Sequence, residues 1–152
     1  MKALCRESLS ETTVKEVFIP TYDCMRRYRG AWHREKRHLF PSYVFLDSEN
    51  EELLLEELQK SRVAIVRKKG LFPIDREEEK FLKKLCGESH HLQMSRGVLH
   101  KGKIQIMEGP LKGMESRICR IDRHKRLARV GVIMNQDCNS IPAGLEITEK
   151  TL

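Results

Sequence analysis

Residues 102–132 constrain the fold of this chain more than any other stretch, because they read as three short strands separated by turns. Pro110 sets a backbone angle suited to a turn, and Gly109 and Gly113 let the chain double back without a Cβ clash. Alternate positions from Ala128 to Met134 form one face of the last strand, which is the period-2 pattern of a strand with two unlike faces. The predicted strands cover residues 104–107, residues around 117–121 and residues 127–134, with a charged turn at 122–125.

Charge is the second constraint. The chain has 152 residues, with 29 Lys and Arg against 22 Asp and Glu, and a formal net charge of +7. A polyanionic partner is therefore the first hypothesis, with a merely soluble basic protein as the alternative. The positive charge is clustered, which favours the first hypothesis. The length is enough for one ordinary domain or two small ones.

Several classes of protein are excluded by what the sequence lacks. It has no apolar span of membrane length and no signal-peptide core, so we expect a cytoplasmic protein. Its five cysteines lie far apart without a CxxC, which is typical of reduced thiols rather than disulfides or a zinc site. His90 and His91 are adjacent, so their side chains point apart and a metal site is not expected. No catalytic motif is present, so we predict neither an enzyme nor a cofactor.

The N-terminal part alternates helical and strand signals. Asp75 and Glu78 have the spacing of a capping box at the start of a helix, and Gly87 follows its predicted end. The predicted elements are a helix at residues 1–10, a strand at 17–20, hairpin arms at 25–28 and 32–46 turning near Gly30-Ala31, a helix at 49–60, a strand at 63–66 and a helix from Asp75. This order favours an α+β sandwich with helices on one face of an antiparallel sheet.

Two motif sets carry a resemblance to a known family. Residues 102–132 resemble the KOW motif, a β-hairpin unit of NusG-type transcription elongation factors and of some ribosomal proteins. Residues 39–46 (LFPSYVFL) closely resemble the signature strand of the NusG N-terminal domain, residues 17–21 its preceding strand and residues 71–74 its last connection. The chain is therefore identified as NusG-like. Ser42 replaces the usual glycine of the signature, as in specialised paralogues of the RfaH or LoaP kind.

The resemblance implies a two-domain architecture. It predicts a NusG N-terminal-type α/β sandwich with a ferredoxin-like antiparallel sheet over residues 1–86, a linker at 87–99, and a small five-stranded β-barrel KOW domain at 100–152. Family members begin with a strand that lies centrally in the first sheet, and this chain begins inside the following helix. Loss of a central strand would weaken the domain, so we expect a misassigned start or a truncation.

The resemblance also implies a function. A NusG-like factor binds RNA polymerase and promotes processive elongation or antitermination, with added contact to nascent RNA or non-template DNA. A structural RNA-binding protein of the ribosome is the alternative, since KOW units occur there. The KOW unit could also recruit a ribosomal protein or a termination factor. We expect a monomer that does not act at a membrane.

The predicted polymerase-binding site is aromatic. By resemblance, Phe40 and Tyr43, supported by Pro41 and Phe45, would meet the clamp helices of the largest polymerase subunit. The alternative is that these residues are ordinary core or half-exposed apolar side chains. A small domain gains little from exposed aromatic residues unless they meet a partner.

Two basic clusters are the predicted nucleic-acid-binding sites. Aromatic residues such as Tyr28 and Trp32 are interleaved with the first, a combination that suits phosphate contact and base stacking, although a solvated hairpin is the alternative. Asp122 is expected to cap the turn that carries the second cluster, for which RNA or a protein is the partner. The predicted binding residues are Arg26, Arg27, Arg29, Arg34, Lys36 and Arg37 in the hairpin, and Arg120, Arg123, His124, Lys125 and Arg126 at the turn.

Overall fold

The computed structural model describes residues 14–60, 72–134 and 137–151, and these form a mixed α/β structure that is mostly sheet, with two helices. The chain groups into two compact units, the first made of Met1–Ile19 and Pro41–Pro73 and the second of Pro20–Phe40 and Ile74–Leu152. The elements are β1 (Glu16–Phe18), β2 (Thr21–Tyr28), β3 (Ala31–His38), β4 (Phe45–Asp47), α1 (Glu51–Lys60), α2 (Arg76–Cys86), β5 (His91–Leu92), β6 (Ser95–His100), β7 (Lys103–Glu108), a 3-10 turn (Glu115–Arg117), β8 (Ile118–Asp122), β9 (Leu127–Met134) and β10 (Asp137–Thr151).

The first unit is built on a two-stranded antiparallel sheet and one helix. Strand β1 pairs with β4, with Val17 opposite Leu46. Helix α1 begins after Asn50, whose side-chain oxygen accepts the backbone N–H of Leu53 at 3.1 Å, as an N-cap does. Burial of Val14, Val17 and Leu54, with Val44 and Leu46 packed against them, forms the core of this unit.

The second unit contains a five-stranded sheet in the order β7-β6-β10-β9-β8. Strand β10 lies at its centre, parallel to β6 and antiparallel to β9. The predicted bounds of β9 are confirmed, and its alternation is confirmed by the burial of Ala128, Val130, Val132 and Met134. Among the described residues the sheet is open, because β7 and β8 lie at its two edges and form no ladder with each other. The sheet has five strands, but β6 lies almost entirely in the predicted linker at 87–99, and closure into a barrel is not seen.

The same unit contains a three-stranded sheet in the order β3-β2-β5. Strands β2 and β3 form a long hairpin whose turn residues, Arg29 and Gly30, both have positive φ, at 53° and 74°. Such turns match the twist of the flanking strands. The prediction that the second arm runs to residue 46 is wrong, because β3 ends at His38. Pro41 has no N–H to donate, and Ser42 has a φ of 74°, so the ladder cannot continue through them.

One prediction for helix α2 is wrong, and another is confirmed. Asp75 is the N-cap residue, but its side chain makes no capping hydrogen bond, so the predicted capping box is not formed. Glu78 is instead buried and bonded to Arg117 of the 3-10 turn and to Ile133 of β9. Gly87 ends the helix as predicted, with a φ of 68° and its N–H donated to the carbonyl of Lys83 at 2.9 Å.

Two predicted elements fall on residues that the structure does not describe. They are the helix at residues 1–10 and the strand at 63–66. The division at residues 86, 87–99 and 100 stays a prediction, although residues 91–92 and 95–99 of the proposed linker are in strands. No described helix is long and apolar enough to cross a membrane.

Candidate nucleic-acid interface

The register of the β2–β3 hairpin divides its basic cluster between two faces. Successive residues of a strand point to opposite faces, while directly opposite residues of paired strands share one. Arg27 lies opposite Trp32, so both belong to one face, here called the Trp32 face, with Met25, Arg34, Asp23 and Lys36. The other face, here called the Tyr28 face, has Tyr28, Ala31, Arg26, His33, Cys24, Glu35, Tyr22 and Arg37.

The two faces differ in their charge balance. On the Tyr28 face, Glu35 lies 3.7 Å from Arg26 and 3.4 Å from Arg37, so two cations share one carboxylate, which offsets one of their charges. On the Trp32 face, Arg27, Arg34 and Lys36 are exposed, and none of them has an ion-pair partner among the described residues. Most of the uncompensated positive charge of the hairpin is therefore on the Trp32 face.

The one acid of the Trp32 face is already bound. Asp23 is 4% exposed, and its carboxylate lies 2.8 Å from Nε2 of His91 and accepts the N–H of Met94 at 3.1 Å. Thr21 contacts the other ring nitrogen of His91 at 2.7 Å. These bonds fix the base of the hairpin on residues 91–94, and Asp23 forms no ion pair with Lys36. His91 thus has a structural role, and no group of metal ligands occurs in the described part of the chain.

The second basic cluster lies on the turn between β8 and β9. The predicted capping role of Asp122 is confirmed, because its side chain accepts the N–H of Lys125 at 3.1 Å. Arg126 takes a φ of 54°, which closes the turn, and its N–H is donated to the carbonyl of Arg123 at 3.3 Å. The exposed cations of this turn and of β8 are Arg120, Arg123 and Lys125, and His124 is exposed beside them.

Two further arginines close to this turn hold the fold together. Arg117 lies 2.7 Å from Glu78 of α2 and covers the ring of Phe81, with its guanidinium carbon 3.9 Å from the ring centre. Arg129 donates to the hydroxyl and to the carbonyl of Ser140 on the neighbouring strand. Both guanidinium groups are used internally, so they are not part of the candidate interface.

The two basic clusters meet at one contact. The guanidinium carbon of Arg126 lies 4.3 Å from the centre of the Trp32 ring, within the range of a cation–π interaction. Arg126 also lies 3.7 Å from Glu146 of β10. The contact joins two segments far apart in sequence into one surface, here called the composite basic surface. It comprises Arg27, Arg34 and Lys36 of the Trp32 face, with Arg120, Arg123, His124, Lys125 and Arg126.

Close backbone packing holds the hairpin against the five-stranded sheet. A Cβ atom added to Gly144 of β10 would lie 2.7 Å from the carbonyl oxygen of Asp23 and 2.1 Å from the sulfur of Met94. Only a residue without a side chain permits this approach. Gly144 therefore positions the hairpin, and with it Trp32, beside the turn that carries Arg126.

The turn side of the composite basic surface is concave. A depression of about 740 Å³ is lined by three of its arginines, Arg120, Arg123 and Arg126, together with His124. Lys150 adds a further cation, while Asp122 and Glu146 supply the acids. Asp122 is engaged with the turn backbone and Glu146 with Arg126, so the remaining cations face solvent. Such a site suits a phosphate group.

The predicted polymerase-binding residues have unequal exposure. Phe40 is 7% exposed, so its ring is buried. Tyr43, in the first unit, is 47% exposed and meets the edge of the Phe72 ring at a centroid distance of 5.9 Å. Phe45 packs on Phe18 at 5.5 Å, and Pro41 is exposed. Tyr43 is accordingly the best placed of the four to contact a partner.

Burial raises the pKa of two side chains, Cys86 and Tyr22. Burial raises the pKa of the Cys86 thiol to about 11, so this sulfur stays protonated and unreactive near neutral pH. Burial also raises the pKa of Tyr22, at the base of the hairpin.

Sequence reasoning missed the contact between Trp32 and Arg126 and the role of Gly144. The division of the hairpin cations between two faces could have been obtained from strand alternation alone.

A scan against protein-family models finds no match, and a search of curated protein sequences finds no significant match.

Proposed function

We propose that this protein is a NusG-like transcription elongation and antitermination factor whose composite basic surface binds nucleic acid. In this proposal the N-terminal part has the NusG α/β sandwich architecture and binds the clamp helices of RNA polymerase, and the C-terminal strands form a KOW unit. The observation that supports nucleic-acid binding is the meeting of two cation clusters at Trp32 and Arg126. The motif resemblance at residues 39–46 and 102–132 supports the polymerase half.

The chemistry of the composite basic surface favours a phosphate backbone as its ligand. Its cations lie on a paired hairpin and on a turn that Asp122 caps. The backbone that carries them is therefore already ordered before a ligand binds. Neutralising phosphates releases counterions from the nucleic acid, which drives binding without regard to sequence. Such contacts position a strand, and the protein would then act by shifting the conformational population of the polymerase without any bond chemistry.

A structural RNA-binding protein of the ribosome is the second candidate. The basic turn between β8 and β9 would serve such a protein equally well, since KOW units occur in ribosomal proteins. The two candidates differ in their principal partner. Tyr43 favours the polymerase, because it is an exposed aromatic residue of the segment that resembles the NusG signature strand.

The experiment is a paired pull-down of the full chain with purified core RNA polymerase and with purified ribosomes. Both partners are anionic, so retention is measured at several salt concentrations to remove non-specific attraction. We expect polymerase to be retained at salt concentrations that release ribosomes. Retention of ribosomes alone would replace the elongation-factor proposal by the ribosomal one.

A separate assay tests the nucleic-acid half. Fluorescence anisotropy with labelled leader-region RNA hairpins and with single-stranded DNA should show saturable binding that weakens steeply with salt. We expect RNA to bind more tightly than DNA. Absence of binding to both at low salt would remove nucleic acid from the proposed function.

A further inference from the structure

We infer that the Tyr28 face of the hairpin binds an unpaired nucleobase by stacking, so that the preferred ligand is a single strand. This inference rests on the proposed nucleic-acid binding and adds a second contact to it, on the face opposite the uncompensated cations. Phosphates would be held on the Trp32 face and at the turn, and a base on the Tyr28 face.

The main observation behind this inference is a preformed aromatic pair. The rings of Tyr28 and His33 are stacked, with centroids 3.7 Å apart and an angle of 15° between their planes. Tyr28 is nevertheless 42% exposed, which makes it one of the more exposed large side chains in the described residues. Stacking on His33 holds the ring in place before any ligand arrives, so less side-chain entropy is lost on binding.

The register leaves one side of this pair open. Tyr28 lies directly opposite Ala31, the residue after the turn, whose methyl group is too small to cover a ring. Arg26 and His33 are opposite each other one step further from the turn, so both approach Tyr28 from the same side. The side of Tyr28 nearer the turn is therefore accessible to a planar ligand.

The charge balance of this face distinguishes stacking from phosphate binding. Glu35 offsets one of the two charges of Arg26 and Arg37, so the Tyr28 face attracts phosphates less strongly than the Trp32 face does. A base has a π-face that stacks on an aromatic ring whatever its sequence, but in a duplex its faces are covered by neighbouring base pairs. An unpaired base is therefore the ligand that this face suits, whether it belongs to RNA or to DNA.

The two faces belong to one two-stranded ribbon, which explains how both contacts can be made by one strand. Arg27 and Tyr28 are adjacent in β2 and point to opposite faces. A single strand that crosses the ribbon beside Arg29 can leave a phosphate near Arg27 and place the next base on Tyr28. A stiff duplex cannot turn this sharply.

The test uses the full chain, an oligonucleotide that contains one 2-aminopurine in a single-stranded tract, and the variants Tyr28→Ala and Tyr28→Phe. Stacking quenches 2-aminopurine, so binding of the wild type and of Tyr28→Phe should lower its fluorescence. Tyr28→Ala should lose the quenching and weaken single-strand binding by about 5- to 10-fold, as expected for removal of one stacked base. Its salt dependence should be unchanged, since every cation that neutralises a phosphate is still present. RNA and DNA versions of the oligonucleotide show which single strand is preferred.

Two controls separate the possible failures. Leu53→Ala removes a similarly exposed apolar side chain from the other compact unit and should bind and quench like the wild type. The matching duplex should bind Tyr28→Ala and the wild type equally. If Tyr28→Ala binds single strands and quenches like Tyr28→Phe, the stacking site is excluded while nucleic-acid binding stands. If the wild type binds no nucleic acid, both the stacking site and the proposed function fail.

Discussion

The guanidinium group of Arg126 lies over the indole ring of Trp32, at 4.3 Å from its centre, and this contact joins the hairpin to the turn between β8 and β9. Strand β10 holds Arg126 in place, because the carbonyl of Arg126 accepts the N–H of Leu145 at 3.0 Å and its side chain lies near Glu146. The junction is thus built from both backbone and side chains. It gives two separate basic segments a single surface.

A double-mutant cycle on Trp32 and Arg126 measures the junction. Because Arg126 is only partly buried, we expect a coupling free energy of about 0.5–1 kcal/mol from unfolding of the wild type, Trp32→Ala, Arg126→Ala and the double variant. Trp32 is the only tryptophan, so variants that lack it are followed by circular dichroism. Strictly additive losses would show that the contact contributes nothing to stability.

Gly144→Ala tests whether close packing positions the hairpin. The added methyl group would meet the backbone oxygen of Asp23, which cannot move without moving β2, so we expect a loss of about 1–3 kcal/mol in stability. It should also weaken nucleic-acid binding, although no charge is removed. The matched control is Gly131→Ala on β9, where the nearest atom, Sγ of Cys119, would lie at an ordinary distance of 3.4 Å. Equal behaviour of the two variants would contradict the role given to Gly144.

The pair Glu78 and Arg117 holds helix α2 on the sheet. Glu78 is 4% exposed, and its two oxygens bind Arg117 and the N–H of Ile133. Arg117→Ala leaves a buried carboxylate short of a partner, and since Arg117 is itself partly exposed we expect a loss of about 1–3 kcal/mol. Denaturant unfolding checks this value. The double variant Glu78→Leu with Arg117→Met should be more stable than Arg117→Ala, and the reverse order would show that the charge pair is not what matters.

Tyr43→Ala is the variant that tests polymerase binding without a large loss of stability. Phe40→Ala would remove a buried ring at a cost of about 3–5 kcal/mol, so reduced binding there could simply reflect unfolding. Tyr43 is exposed, and its replacement should leave stability within about 0.5 kcal/mol while lowering affinity for core polymerase roughly tenfold or more. Titration of immobilised polymerase gives the affinity. Leu53→Ala, another exposed apolar residue of the same unit, serves as the control, and equal affinity of both variants would remove Tyr43 from the site.

Features that depend on neighbouring residues could be predicted from the sequence, whereas contacts between distant segments could not. The bounds of β9, the burial of Ala128 and its alternate neighbours, the turn cap of Asp122 and the helix end at Gly87 all depend on a few adjacent residues. The capping box at Asp75 was wrong because Glu78 finds a stronger partner in Arg117, which is distant in sequence. Tertiary contact overrides a local preference in this case.

The candidate site shows the same limit. Both basic clusters were evident from composition, but nothing in the sequence brings Trp32 to Arg126 or Asp23 to Gly144. These contacts depend on how the hairpin packs against β10, which no local pattern encodes.

The most direct measurement is the salt dependence of binding to a single-stranded RNA by three charge-matched variants. The hairpin variant replaces Arg27, Arg34 and Lys36 by Ala, and the turn variant replaces Arg120, Arg123 and Lys125, which leaves the contact between Trp32 and Arg126 intact. The control replaces Lys80, Lys84 and Lys112, three exposed lysines outside both clusters. Each variant has the same net charge.

The slope of log K against log[salt] changes by roughly 0.7 for each phosphate of a single strand that the protein no longer neutralises. A composite basic surface predicts that the hairpin and turn variants both flatten the slope, by up to about 2, while the control keeps the slope of the wild type. Combining the hairpin and turn variants should flatten it further. If both variants have the slope and affinity of the control, the two clusters are solvated surface and the account of nucleic-acid binding is wrong.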